Sequence, residues 1–122
     1  MRSLSCAGMM ALALYATGCS RTSGPRNREQ ATQVSAPDLM IQYGCPTCHV
    51  IPHVPGAVGK VGPSLDDLAQ RSYVAGTLQN TPQNLVRWIQ HPQKIDPETA
   101  MPEMGVTPAD ATRIAAFLEA SH

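Results

Sequence analysis

Apolar positions along the chain gather into short helical stripes, and the stretches between them have no period. Residues 37–43, PDLMIQY, can form a helix with Pro37 and Asp38 in its first turn, where a missing N–H is harmless and a carboxylate suits the dipole. Gly44 follows as a helix-ending residue, and Pro46 disfavours helical geometry at Cys45. Thr81-Pro82 pairs an N-cap with proline at the first helical position, and Leu85, Trp88 and Ile89 then fall at i, i+3 and i+4. His91-Pro92 ends that helix. Thr107-Pro108 repeats the start signal, and Ala111, Ile114, Ala115 and Leu118 form one apolar face with Phe117 beside it. Residues 65–70 allow one or two helical turns. Residues 50–64, VIPHVPGAVGKVGPS, and 95–105, IDPETAMPEMG, are too rich in Pro and Gly for regular structure. No segment alternates as a strand does, so the pattern predicts an all-α domain of short helices separated by long loops.

The chain opens differently. MRSLSCAGMMALALYATGCS has an early Arg, an apolar run ending at Leu14 and small residues leading to Cys19, the pattern of a secretory signal over residues 1–18. The apolar run is shorter than the roughly 20 residues that cross a bilayer. Ala16-Thr17-Gly18-Cys19 resembles a bacterial lipobox, with Ala16 where that pattern favours Leu, and the resemblance implies acylation of Cys19. An ordinary cleaved signal would instead leave Cys19 as a spare thiol. Residues 19–35 are polar and without period, a tether whose arginines suit anionic lipid head groups. The folded domain is expected over residues 36–122.

Charge narrows the partners. The whole chain of 122 residues is formally neutral, but from Ala36 onward five Lys and Arg face eight Asp and Glu, a net of minus three. Such a domain is no nucleic-acid binder. It is also close to the size at which small domains lean on a disulfide, metal or cofactor.

The candidate chemistry sits just after the first helix, in YGCPTCHVIPH. A dithiol oxidoreductase requires a βαβ context that puts the reactive thiolate at a helix N-terminus, and no strand pattern precedes Cys45. Zinc has four apparent ligands in Cys45, Cys48, His49 and His53, but zinc fingers separate the cysteine pair from the histidine pair by a dozen or so residues. Sequence neighbours such as Cys48 and His49 do not both reach one small ion comfortably. C-x-x-C-H also marks covalent haem attachment. In a helical turn Cys45, Cys48 and His49 stand on one side, so each thiol can add across a haem vinyl group while the imidazole reaches the iron. This chemistry predicts one haem c, with His53 a bystander. A Met partner for His49 is the ligand set of electron-transfer cytochromes, and Met101 in the loop DPETAMPEMG is the candidate, ahead of Met104 and Met40.

Taken in order, GCPTCH, VGPSL, RSYVAGTLQNTPQNLVRWIQHPQ, PETAMPEMG and DATRIAAFLEA resemble the monohaem class I cytochromes c, including domains associated with bacterial respiratory oxidase subunits. The resemblance covers residues 36–122 and implies the cytochrome c fold. It further implies that the Pro63 carbonyl accepts a hydrogen bond from His49 Nδ1, orienting the ligand. Arg71 corresponds to an arginine facing a haem propionate, with Trp88, Asn80 and Tyr73 as further donors nearby.

The expected activity is one-electron transfer, without catalysis, between respiratory partners such as a terminal oxidase or a quinol-oxidising complex. The protein would be exported to the periplasmic side or the outer face of a bacterial cytoplasmic membrane and held by a lipid anchor. Two alternatives remain: a fixed haem subunit of an oxidase or dehydrogenase complex, and a sensor or peroxidase-type domain with a labile Met ligand.

Overall fold

A computed structural model describes residues 34–121. The leader, Cys19, residues 20–33 of the tether and His122 lie outside the described residues. The architecture is mostly helical: α1 (Ala36–Gln42), α2 (Pro82–Gln90), α3 (Pro92–Ile95) and α4 (Pro108–Ala120), with short 3-10 helices at Cys45–Thr47 and Leu68–Gln70. Among the described residues, no helix is long and apolar enough to cross a membrane.

Each longer helix begins on a hydroxyl cap followed by proline. Ser35, Thr81 and Thr107 accept hydrogen bonds from the backbone N–H groups of Asp38, Asn84 and Asp110, satisfying donors that the first turn leaves free. The caps of α2 and α4 are those the sequence predicts. Ser35 extends the domain into what reads as tether, and the Val34 carbonyl accepts from Arg113 Nη1 of α4 at 3.0 Å. Gly44, at φ +79°, ends α1 in the left-handed region that favours glycine.

Two features depart from the expected pattern, a hairpin and α3, which directly follows the His91-Pro92 stop; the single 3-10 turn within 65–70 is one of the two forms the sequence allows. The strand-free reading is corrected by a small antiparallel hairpin of β1 (Tyr73–Val74) and β2 (Leu78–Gln79), with Tyr73 opposite Gln79 and Val74 opposite Leu78. Two-residue strands are too short to show alternation, and an isolated bridge between Val50 and Val58 is shorter still. Residues 65–70 hold only the 3-10 turn, because Asp67 enters it at φ +52°.

α4 packs against both α2 and α1. Its stripe of Ala111, Ile114, Ala115 and Leu118 is buried with Leu39 and Met40 of α1 and Leu85 and Ile89 of α2, the expected core face. Val106, just before α4, and Leu68 join the same core. The core is not solid: Met40, Leu68, Leu85, Ile89, Ile114 and Leu118 also line a cavity of about 640 Å³.

Candidate functional site

The motif turn is built by its own backbone. Cys45–Thr47 is one 3-10 turn, and the Cys45 carbonyl accepts from both the Cys48 N–H at 3.2 Å and the His49 N–H at 3.1 Å. These i+3 and i+4 bonds put Cys45, Cys48 and His49 along one side, and all three line the cavity.

Residues 50–65 then fold back over the turn. The Gly62 N–H donates to the Cys48 carbonyl at 2.8 Å and the Leu65 N–H to the Val50 carbonyl at 2.8 Å. Two glycines make this approach possible. A Cβ on Gly59 would stand 2.5 Å from the Thr47 carbonyl oxygen, and one on Gly62 would stand 2.7 Å from His49 Nδ1, both inside contact distance. The imidazole therefore lies directly on Gly62. Its Nδ1 is 2.7 Å from the Pro63 carbonyl oxygen, to which it donates as the Nδ1–H tautomer. That tautomer leaves Nε2 as the free ligand nitrogen.

Met101 and Met104 both line the cavity, as does Met40 from the core. Their surroundings differ. Met104 packs against the core, its methyl 3.5 Å from where a Gly44 Cβ would stand. Met101 is half-buried, with its N–H donating to Thr99 Oγ1 at 3.2 Å. The loop carrying both is tied back by a hydrogen bond at 3.3 Å between His91 Nδ1 and Glu103 Oε2.

Of the other residues singled out in the sequence, Arg71, Trp88 and Tyr73 line the cavity and Asn80 does not. Arg71 Nη2 donates to the carbonyls of Ser64 at 2.7 Å and Asp66 at 2.9 Å. Asn80 acts here as a loop staple. Its two amide hydrogens are committed to the carbonyls of Leu68 at 2.7 Å and Arg71 at 2.9 Å, on either side of the turn that carries Arg71. Among the described residues, Arg71 and Asp96 are the Arg, Lys, Asp and Glu side chains that line the wall.

The competing chemistries meet a different geometry. Among the described residues, no three or more His, Cys, Asp or Glu side chains stand together so as to hold a metal ion, and His53 is exposed on the loop at φ +58°. Burial pushes the Cys45 thiol above its ordinary value; a backbone hydrogen bond opposes this and Cys48 adds to it. A nucleophilic thiolate needs the opposite shift. Among the described residues no strand precedes the motif.

A second cluster joins the motif to α4 and escaped the sequence reading. The Tyr43 hydroxyl donates to Asp110 Oδ2 at 2.8 Å across 67 residues. The same oxygen accepts from Thr107 Oγ1 at 2.9 Å, and Arg113 Nη2 meets Oδ1 at 2.5 Å. The Tyr43 hydrogen bond, then those from Arg113 and Thr107, hold the Asp110 carboxyl below the usual carboxylate range. Only the tyrosine's place before the motif and the aspartate's place in a first helical turn are visible locally. Compared with known proteins, the chain matches no family model, no curated protein and no solved structure.

Proposed function

We propose that this chain is a one-electron carrier with a single haem c, attached through Cys45 and Cys48 and ligated by His49 and Met101. The observation that carries the reading is the setting of His49. Its Nδ1 is engaged by the Pro63 carbonyl, so Nε2 is the free ring nitrogen, and it shares one cavity of about 640 Å³ with two thiols and three methionines.

The donor set fits the group. Two thiols on one side of a single turn suit two vinyl attachments, each S–H adding across one C=C so that sulfur and hydrogen both end on carbon. A carbonyl acceptor at Nδ1 raises the basicity of the ligand nitrogen and fixes the ring plane. A thioether opposite favours ferrous iron. Met101 is preferred to Met104 because Met104 is already packed on the core beside Gly44. Arg71 offers a cation to carboxylates of the bound group, and Trp88 and Tyr73 complete the wall. When bound, the haem supplies a ferrous–ferric couple, and no substrate bond is made or broken.

The same reading covers the finer fold and the setting. Residues 36–122 form a class I cytochrome c domain, exported and anchored at an acylated Cys19, exchanging electrons with a terminal oxidase or a quinol-oxidising complex. Its basis is the order of the motifs along the sequence together with the helix order α1 to α4.

Mass spectrometry of the protein purified from membranes tests attachment and anchor together. The expected result is one haem and a lipid on Cys19, with the haem lost when Cys45 and Cys48 become alanine. The ferric spectrum tests the axial set: the weak red-edge band of methionine–iron coordination should vanish in Met101→Ala and persist in Met104→Ala. A protein without haem overturns the function, and the reverse pattern of bands overturns the ligand assignment.

A further inference from the structure

We propose that the Tyr43–Asp110 hydrogen bond is a clasp that sets the distance between the two walls of the cavity, making Tyr43 a positioning residue for Met101. The role of Met101 as ligand rests on the function proposed above; the clasp itself rests on protein contacts.

One wall is the motif turn, which begins two residues after Tyr43. The other is the methionine loop, which runs directly into Thr107 and α4. Asp110 sits in the first turn of α4 and is aimed from within that element: Thr107 donates to Oδ2 and Arg113 holds Oδ1. Tyr43 supplies the hydrogen bond that reaches this carboxylate from outside α4 and its cap. Beside it, the Met104 methyl abuts Gly44, so side chain and backbone tie the same two segments at neighbouring points. Met101 has a backbone hydrogen bond only to Thr99, within its own loop. Its position relative to His49 is set where the loop is tied to the rest of the domain: at the Glu103–His91 contact, at Met104 on the core, and at the clasp on its C-terminal side.

In the ferric holoprotein, added imidazole displaces the methionine ligand, and loss of the methionine–iron band gives the rate. Tyr43→Phe and Asp110→Ala should each speed displacement about tenfold, the worth of one hydrogen bond to a charged group. Asp110→Asn, which keeps an oxygen for the hydroxyl but loses the charge and the acceptor that faces Arg113, should fall between wild type and Asp110→Ala. Thr81→Ala serves as the control, because it weakens α2 through its cap without touching the clasp. Methyl-labelled methionine NMR of the protein as purified adds a reading that does not require the methionine–iron band: Tyr43→Phe should move the Met101 and Met104 methyl signals, and Thr81→Ala should leave them in place. Unchanged signals and rates in Tyr43→Phe, or equal changes in Thr81→Ala, overturn the clasp. If the protein carries no haem, the function fails instead, and the methyl signals alone decide the clasp.

Discussion

His49 is held from two sides by things that are not side chains: a carbonyl oxygen at Nδ1 and the bare Cα of Gly62 beneath the ring. Gly62→Ala should therefore act as overpacking, destabilising the protein by about 1–3 kcal/mol, and should tilt the imidazole away from Pro63. Denaturant unfolding gives the first effect and a shifted reduction potential the second; an unchanged potential would separate ring position from ligand strength. Asn80 provides the contrast. Asn80→Ala should destabilise by about 1–3 kcal/mol, because two carbonyls lose their donor, yet leave the haem spectrum unaltered, because the side chain does not line the cavity. The cysteines and His49 are legible in sequence because the turn that sets them on one side is wholly local, closed by the Cys45 carbonyl on the Cys48 and His49 N–H groups. Asn80 is not, because the target of its amide depends on how residues 64–71 coil.

At the scale of elements, the caps explain why α2 and α4 can be drawn from sequence to within a residue. A hydroxyl, a proline and a helical apolar stripe all lie within one continuous segment. The hairpin of β1 and β2 has no such local signature: its connection passes through Ala75 at φ +52° and Gly76 at φ +72°, a conformation that an Ala-Gly pair only permits. The join of α1 to α4 is equally hidden, since Tyr43 and Asp110 lie 67 residues apart. It should show itself in acid. Asp110 faces the Tyr43 hydroxyl from the end of α1 and the Arg113 guanidinium and Thr107 hydroxyl from α4, and its carboxyl lies below the usual range. A depressed carboxylate stabilises the fold fully above its unfolded pKa and loses that contribution as pH falls through its lower folded pKa. Unfolding measured from neutral pH down through the carboxylate range should show this loss in wild type and a flatter profile in Asp110→Asn; equal profiles would remove Asp110 from the acid response.

At the scale of the molecule, a chain of this size has built its core around a cavity, with Met40, Leu68, Leu85, Ile89, Ile114 and Leu118 turned to it. An apolar wall of that extent needs cover from water. The double variant Cys45→Ala/Cys48→Ala should keep much of its helix by far-ultraviolet dichroism but lose near-ultraviolet signal and cooperative melting, the marks of lost packing. A cooperative transition retained without cofactor would show that the protein wall closes on itself. The cavity rim is largely uncharged, with Val61 at 73 % exposure and Tyr73 at 57 %. Under the proposed function, electron exchange with a partner docking there should fall little as salt rises, and a steep fall in stopped-flow rate would place docking on charged patches instead.

The contacts of α4 with α1 also govern when the fold can exist. Val34 is tied to Arg113 and Tyr43 to Asp110, so hydrogen bonds join the first described segment to the last. Closing a loop of that length costs on the order of 4 kcal/mol of chain entropy. The packing of α4 along α1 and α2 repays this only after α4 has been synthesised. A nascent chain cut before residue 107 would hold the complete C-x-x-C-H turn and the methionine loop, yet lack the helix against which both are set.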